Sequence, residues 1–126
     1  MTLRAVTTNS APSALGSYSQ AIDAGVLVFV AGQVGLDPAT RELAAGVEAQ
    51  AERAMRNIGA VLDAAGLTMA DVAKTTVLLA DIADFDAVNA VYRRFVGDPP
   101  PARATFAVAA LPRGALVEIE AIAVRS

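Results

Sequence analysis

The segment VEIEAIAV, residues 117–124, constrains the architecture more than any other stretch of this chain. Val117, Ile119, Ala121 and Ala123 fall on one face and Glu118 and Glu120 on the other, and a period of two belongs to a β-strand with one face on a core. A sheet containing such a strand needs a second layer over its apolar face, and two segments of helical period are present to supply it. From Gly46 to Ala65 the residues Val47, Ala51, Ala54, Met55, Ile58, Val61, Leu62 and Ala65 recur at helical spacing, and Gly66 stands where a C-terminal cap belongs. The opposite face carries Glu48, Glu52, Arg53, Arg56 and Asp63, a solvated surface with Glu52 and Arg56 at the favourable four-residue spacing. A second helix is expected from Asp84, as its cap, through Phe85, Val88, Val91, Tyr92 and Phe95 to Gly97.

Further strands are expected at Leu3 to Thr7, Gln20 to Ile22, Val26 to Ala31, Val72 to Leu79, Ala102 to Ala109 and Leu116 to Val124. Asp23, Ala24 and Gly25 read as the turn of one hairpin, and Leu111 to Gly114 as the turn of another. The order β-β-β-α-β-α-β-β predicts one two-layer α+β domain over residues 1–126, with both helices on one face of a mixed sheet. No linker, repeat or composition shift divides it. With 55% hydrophobic residues and 18% charged, the chain has more apolar surface than its own core can hide, so the second sheet face is expected to lie against copies of the same chain.

Several function classes are excluded by what is missing. The chain has no histidine and no cysteine, and so no Ser/His/Asp triad, thiolate nucleophile, disulfide or His/Cys zinc site. Chemistry is left to Arg, Lys, Asp, Glu, Tyr, Ser, Thr and backbone groups. A net charge of −3 lacks the basic footprint of a nucleic-acid binder. No apolar run approaches the ~20 residues of a membrane span, and MTLRAVTTNSAP shows no secretory signal, so a cytoplasmic protein is expected.

The stretch PPPARATFAV, residues 99–108, plants Arg103 near the start of an apolar strand. Alternation puts Arg103, Thr105 and Ala107 on one face and Ala104, Phe106 and Val108 on the other. Arg103, Glu118 and Glu120 read equally as exposed or ion-paired structural residues and as parts of a site. If the last two strands form a hairpin turning at Arg113, Glu118 lies opposite Val108, more than ~15 Å from Arg103 at ~3.3 Å per residue. A site using both would then draw them from different subunits.

The remaining polar signals are weaker. AGQVG follows a strand without opening a helix, so Gly32 and Gly35 suggest a bend or a close backbone approach rather than a phosphate loop. Tyr18 in a loop reads as structural or as ligand-facing, and Asn89 as a local hydrogen-bonding group. Lys74, the single lysine, is a Schiff-base candidate by type but reads better as an exposed charge.

Taken together, GSYSQA (16–21), AGQVGLDP (31–38), VAKTTVLLADIADFDAVNAVY (72–92), PARATFAVAALP (101–112) and VEIEAIAV (117–124) resemble the RidA (YjgF) family along nearly the whole chain. The resemblance implies a chorismate-mutase-like fold assembled as a homotrimer, with three sheets around an inner barrel, helices outside and ligand clefts between subunits. It implies hydrolysis of reactive 2-enamine and 2-imine acids, of the 2-aminoacrylate and 2-iminopropanoate type, to 2-keto acid and ammonia, with no metal or organic cofactor. By the same resemblance Arg103 grips the substrate carboxylate, Glu118 handles protons of water and departing nitrogen, and Tyr18, Gly32, Asn89 and Thr105 line or shape the cleft. Thr105 stands where many members carry cysteine, which makes a thiol inessential. Ser17 in place of the usual proline, and a loop before Pro101 about three residues shorter than usual, leave substrate size open.

Two other readings stand beside this one. In the first, a trimer binds small carboxylates without turning them over, which Arg103 alone would satisfy. In the second, the chain is an endoribonuclease or translation inhibitor, which the acidic balance and absent histidine oppose.

Overall fold

The computed structural model of the chain describes residues 2–126. The long helical pattern forms helix α1, Val47–Ala64, whose buried stripe includes Ala51, Ala54, Met55, Ile58, Val61 and Leu62. Burial of each large side chain in that stripe contributes about 1.5–3 kcal/mol. The helix stops where glycine allows it. Gly66 adopts φ 78°, its N–H bonds to the Asp63 carbonyl and the Leu67 N–H to the Leu62 carbonyl, a closed C-terminal turn that L residues enter only with strain.

Strands β1 (Arg4–Val6), β2 (Ala21–Asp23) and β3 (Leu27–Val34) form an antiparallel meander. The hairpin turn falls at the expected trio: Gly25 has φ 97° and donates its N–H to Asp23 Oδ1 at 2.8 Å. That bond, then Arg4 and Arg125, holds the Asp23 carboxyl below its ordinary value against the opposing effect of burial. Strands β4 (Val72–Leu79), β5 (Ala102–Ala107) and β6 (Val117–Val124) complete a six-stranded sheet in the order β1-β2-β3-β6-β4-β5.

This order corrects the expectation of a second hairpin. β5 and β6 are not neighbours, because β4 lies between them, antiparallel to β6 and parallel to β5. The parallel pair is joined through helix α2, Phe85–Tyr92, the crossover that two parallel strands require. A short connection with Pro112 and Gly114 resembled a hairpin turn, but it carries the chain over the end of β4 instead. Helix α2 is also shorter than expected and stops before Phe95. Asp84 makes no side-chain cap, and the entry is held one turn earlier, where Asp81 Oδ1 accepts from Ala83 N at 2.9 Å.

Both helices cover one face of the sheet, burying Val28, Val30, Val77, Leu79, Val117 and Ile119 beneath them. The opposite face carries Glu118, Glu120, Lys74 and Thr76, together with Phe29 and Phe106, which remain 43% and 48% exposed.

One buried polar group links the helical layer to the strand that bears the glycines. Asn57, with no exposure, donates from Nδ2 to the Val34 and Leu36 carbonyls at 3.3 and 3.0 Å and accepts from Arg53 Nε at 3.1 Å. Asn57→Ala removes the side-chain donor to the Leu36 carbonyl, while the Val34 carbonyl keeps the Leu36 N–H at 2.8 Å, and is expected to lower unfolding free energy by about 1–3 kcal/mol, measured by urea titration.

Candidate functional site

Two groups of side chains form on the two faces of the sheet. The first lies between α2 and the edge strand β5. Phe85, Asn89 and Tyr92, at i, i+4 and i+7, share a helix face, and that face meets Arg103. The Arg103 guanidinium donates from Nη1 to Asn89 Oδ1 at 2.6 Å and lies 4.9 Å from the Tyr92 ring centroid and 5.6 Å from that of Phe85. Aromatic faces attract a guanidinium without using its N–H groups, so the fork is oriented while most of its donors stay available. Tyr92 is itself fixed by a 2.6 Å hydrogen bond between its hydroxyl and that of buried Thr75. Beneath Arg103 is a void of about 10 Å³, onto which Thr105 faces. Thr105 Oγ1 is buried and has no hydrogen-bond partner among the described residues.

The second group surrounds a cavity of about 380 Å³ on the Glu118 side, lined by Tyr18, Gly32, Arg41, Arg113 and Glu118 among others. A bulge between Val30 and Gln33 shifts the β3–β6 register and brings Gly32 against Glu118. A Cβ at Gly32 would stand 2.9 Å from Glu118 Cδ and nearer still to Oε2, so absence of a side chain there makes room for the carboxylate. The expected close approach at Gly35 is also present, with α1 packed on it through the Gln50 backbone. Burial first, and the like charge of Glu120 second, push the Glu118 carboxyl above its ordinary value.

The structure thus brings Asn89, Arg103 and Thr105 together, and Tyr18, Gly32 and Glu118 together, but keeps the two sets apart. Arg103 pairs with Thr75 of β4 and Glu118 with Leu78, which places their Cα atoms about 14 Å apart across two strand spacings and three residues of rise. They also point to opposite faces: Arg103 is on the helical side, as is its β4 neighbour Thr75, while Glu118 is on the side of Leu78. The separation inferred from a hairpin therefore holds for a different reason. Arg103 rests on two aromatic rings of α2, those of Phe85 and Tyr92. Lys74 is exposed on the open face and lines neither cavity. Phe85 and Tyr92 were legible only as core positions, and Arg41 and Arg113 carried no signal in the sequence.

A sheet of this order under two helices, with an arginine and a glutamate on strands flanking β4, agrees with the family match. The family model described as Endoribonuclease L-PSP matches residues 8–125, and the chain belongs to this family, that of the RidA (YjgF) proteins. It is 53% identical to Protein DfrA of Myxococcus xanthus over 98% of this chain and 97% of that one. It is 49% identical to the mouse 2-iminobutanoate/2-iminopropanoate deaminase over 97% of this chain and 91% of that one. Among solved structures, Escherichia coli TdcF with bound serine superposes with a TM-score of 0.93 at 41% identity, covering 98% of this chain and 99% of that one.

Proposed function

We propose that this protein hydrolyses reactive 2-imino acids and their enamine tautomers to 2-keto acids and ammonia, in clefts completed between subunits of a homotrimer. The observation that carries the reading is the oriented, largely unsatisfied Arg103 fork, which suits a planar carboxylate. Relatives named as 2-iminobutanoate/2-iminopropanoate deaminases, 46–50% identical to this chain, point to the same substrate class. The separation of Arg103 from Glu118 within one chain, and the exposed aromatic groups on the open sheet face, favour a partner copy that joins the two half-sites. No helix is long and apolar enough to cross a membrane. A cytoplasmic residence rests on the sequence alone, and a relative from Arabidopsis thaliana is named chloroplastic.

In this reading Arg103 holds the carboxylate and Asn89 holds Arg103, while Thr105 and Tyr18 border the bound acid. Water adds through its oxygen to the imine carbon as the Glu118 carboxylate takes one of its protons and hands it to the imine nitrogen, which leaves Glu118 ionised again. The resulting 2-amino-2-hydroxy acid collapses to the ketone as Glu118 takes the hydroxyl proton and passes it to the amino group, which leaves as ammonia. The balance is imino acid plus water giving keto acid plus ammonia, and neither a metal nor an organic cofactor is called for. A base must be ionised to work, so the rate is expected to rise with pH through the raised Glu118 value.

Glu118→Gln is expected to lower kcat by roughly 10²–10⁴-fold, read as keto-acid release from an imine generated in situ. The folded-state value of Glu118 lies above its unfolded one, so its contribution to stability falls as pH rises from the ordinary carboxylate range through the raised value. The variant should therefore show a flatter stability profile and lose nothing at neutral pH. Wild-type turnover in this variant would favour the binding-only reading instead. The net charge of −3 and absent histidine give no support to cleavage of RNA, and no nucleic-acid partner is proposed.

A further inference from the structure

The Glu118 cavity contains two cations that the hydrolysis just described does not use. Arg41 and Arg113 both line it, and both have φ 60°, the two positive-φ residues other than glycine among the described residues. An arginine in the left-handed region is strained where glycine would be relaxed, and such outliers collect at binding sites. Two of them on separate loops, converging on one cavity, make an independent pair of observations.

Their charges are also unspent. Arg4 and Arg125 pair with Asp23, and Arg56 and Arg94 with Glu52. Neither Arg41 nor Arg113 has a carboxylate within ion-pair distance among the described residues. Arg41 donates from Nη1 to the carbonyl and the hydroxyl of Ser13, at 3.3 and 3.1 Å. These neutral acceptors anchor the half-buried side chain beside the loop that carries Tyr18 and leave its positive charge intact. Neither guanidinium is within ion-pair distance of Glu118, the acid of the same cavity. The arginines therefore stand apart from the acid rather than neutralising it. At about 380 Å³ the space is roughly thirteen times the ~30 Å³ share of one water in the liquid, room for a side chain beyond the reacting carbon.

We infer that Arg41 and Arg113 receive a second anionic group, so that the preferred substrates are 2-imino acids bearing a carboxylate in the side chain. This rests on the deaminase reading and assigns the substrate class of the same site. Arg103 would take the carboxylate next to the imine, while Arg41 and Arg113 take the distal one. They also offset the repulsion Glu118 exerts on a dianion.

The test compares imino acids generated in situ from alanine and leucine by a general amino-acid oxidase with those from aspartate by an oxidase specific for acidic amino acids. Wild type, Arg41→Gly, Arg113→Gly, the double variant, and the two Arg→Lys variants are assayed for keto-acid release. Glycine suits φ 60°, so these variants keep the backbone. In wild type the acidic imine is expected to have the higher kcat/KM. In the double glycine variant the acidic-to-neutral ratio should fall roughly tenfold or more, through KM, while lysine retains most of it. A purely structural role for Arg41, as the anchor of the Tyr18 loop, would lower both substrates in proportion and leave the ratio unmoved, which overturns the inference. Preference of wild type for the neutral imines overturns it as well. Failure to accelerate any imine would instead overturn the deaminase reading on which it stands.

Discussion

Arg103→Ala is expected to abolish most imine hydrolysis, lowering kcat/KM by about 10²–10⁴-fold. Each hydrogen bond from a charged donor contributes about 1.5–3 kcal/mol, and a two-pronged clamp loses both at once. The defect should fall on substrate binding and on positioning together, because an imino acid released from the clamp no longer presents its carbon to the water near Glu118. Arg103→Lys restores the charge without the planar fork and should recover only part of the loss. The fold should survive either change, since Arg103 is exposed on the edge strand and hydrogen-bonds the side chain of Asn89. Isothermal titration with a 2-keto acid gives the binding half of the effect directly. Unchanged turnover and unchanged binding in Arg103→Ala would remove the carboxylate clamp from the mechanism.

Gly35→Ala is expected to be strongly destabilising. A Cβ there would stand 2.6 Å from both the Cα and the carbonyl oxygen of Gln50 and 2.9 Å from its Cβ. Those are backbone atoms of α1 and cannot rotate aside, so the helix must back away from β3. Forcing atoms into a packed interface costs about 1–3 kcal/mol and more where backbone must move, and the upper end applies here. Gln50 Nε2 also bonds the Ala44 carbonyl and Gln50 Oε1 the Leu116 N–H, so displacement of this turn strains the entries to both α1 and β6. Gly32→Ala makes the contrast. There the obstructed group is the end of the Glu118 side chain, which can swing away with little loss of stability but would leave the place that the proposed hydrolysis requires of it. Thermal unfolding separates the two: a large drop for Gly35→Ala, a small one for Gly32→Ala accompanied by loss of turnover. Equal stability of Gly35→Ala and wild type would contradict the backbone contact.

The site was legible in unequal parts. Arg103 and Glu118 stood out because a charge on an otherwise apolar strand breaks a simple alternation, and Gly32 and Gly35 because glycine within a strand pattern signals close approach. Asn89 could be named but not partnered: its role in orienting Arg103 depends on where α2 crosses β5. Arg41 and Arg113 were unreadable, because an arginine in a polar loop looks the same whether its backbone is relaxed or left-handed. Lys74 illustrates the reverse case, where residue chemistry suggested a role and its position on the open face gives that role no support.

Local sequence determined the elements themselves. The 3.6-residue recurrence from Val47 to Leu62 gave α1 its buried stripe, Gly66 its end, the Asp23–Gly25 trio its hairpin, and the period of two in VEIEAIAV its split between core and Glu118, since each depends only on backbone geometry and side chains within a few positions. Tertiary structure alone decided that β4 separates β5 from β6, that α2 ends early and lays Tyr92 and Phe85 under Arg103, and that Arg103 and Glu118 face opposite sides of the sheet. Strand order is settled by which apolar faces can be buried together and by the crossover a parallel pair demands, and those are properties of the whole packed chain rather than of any stretch of it.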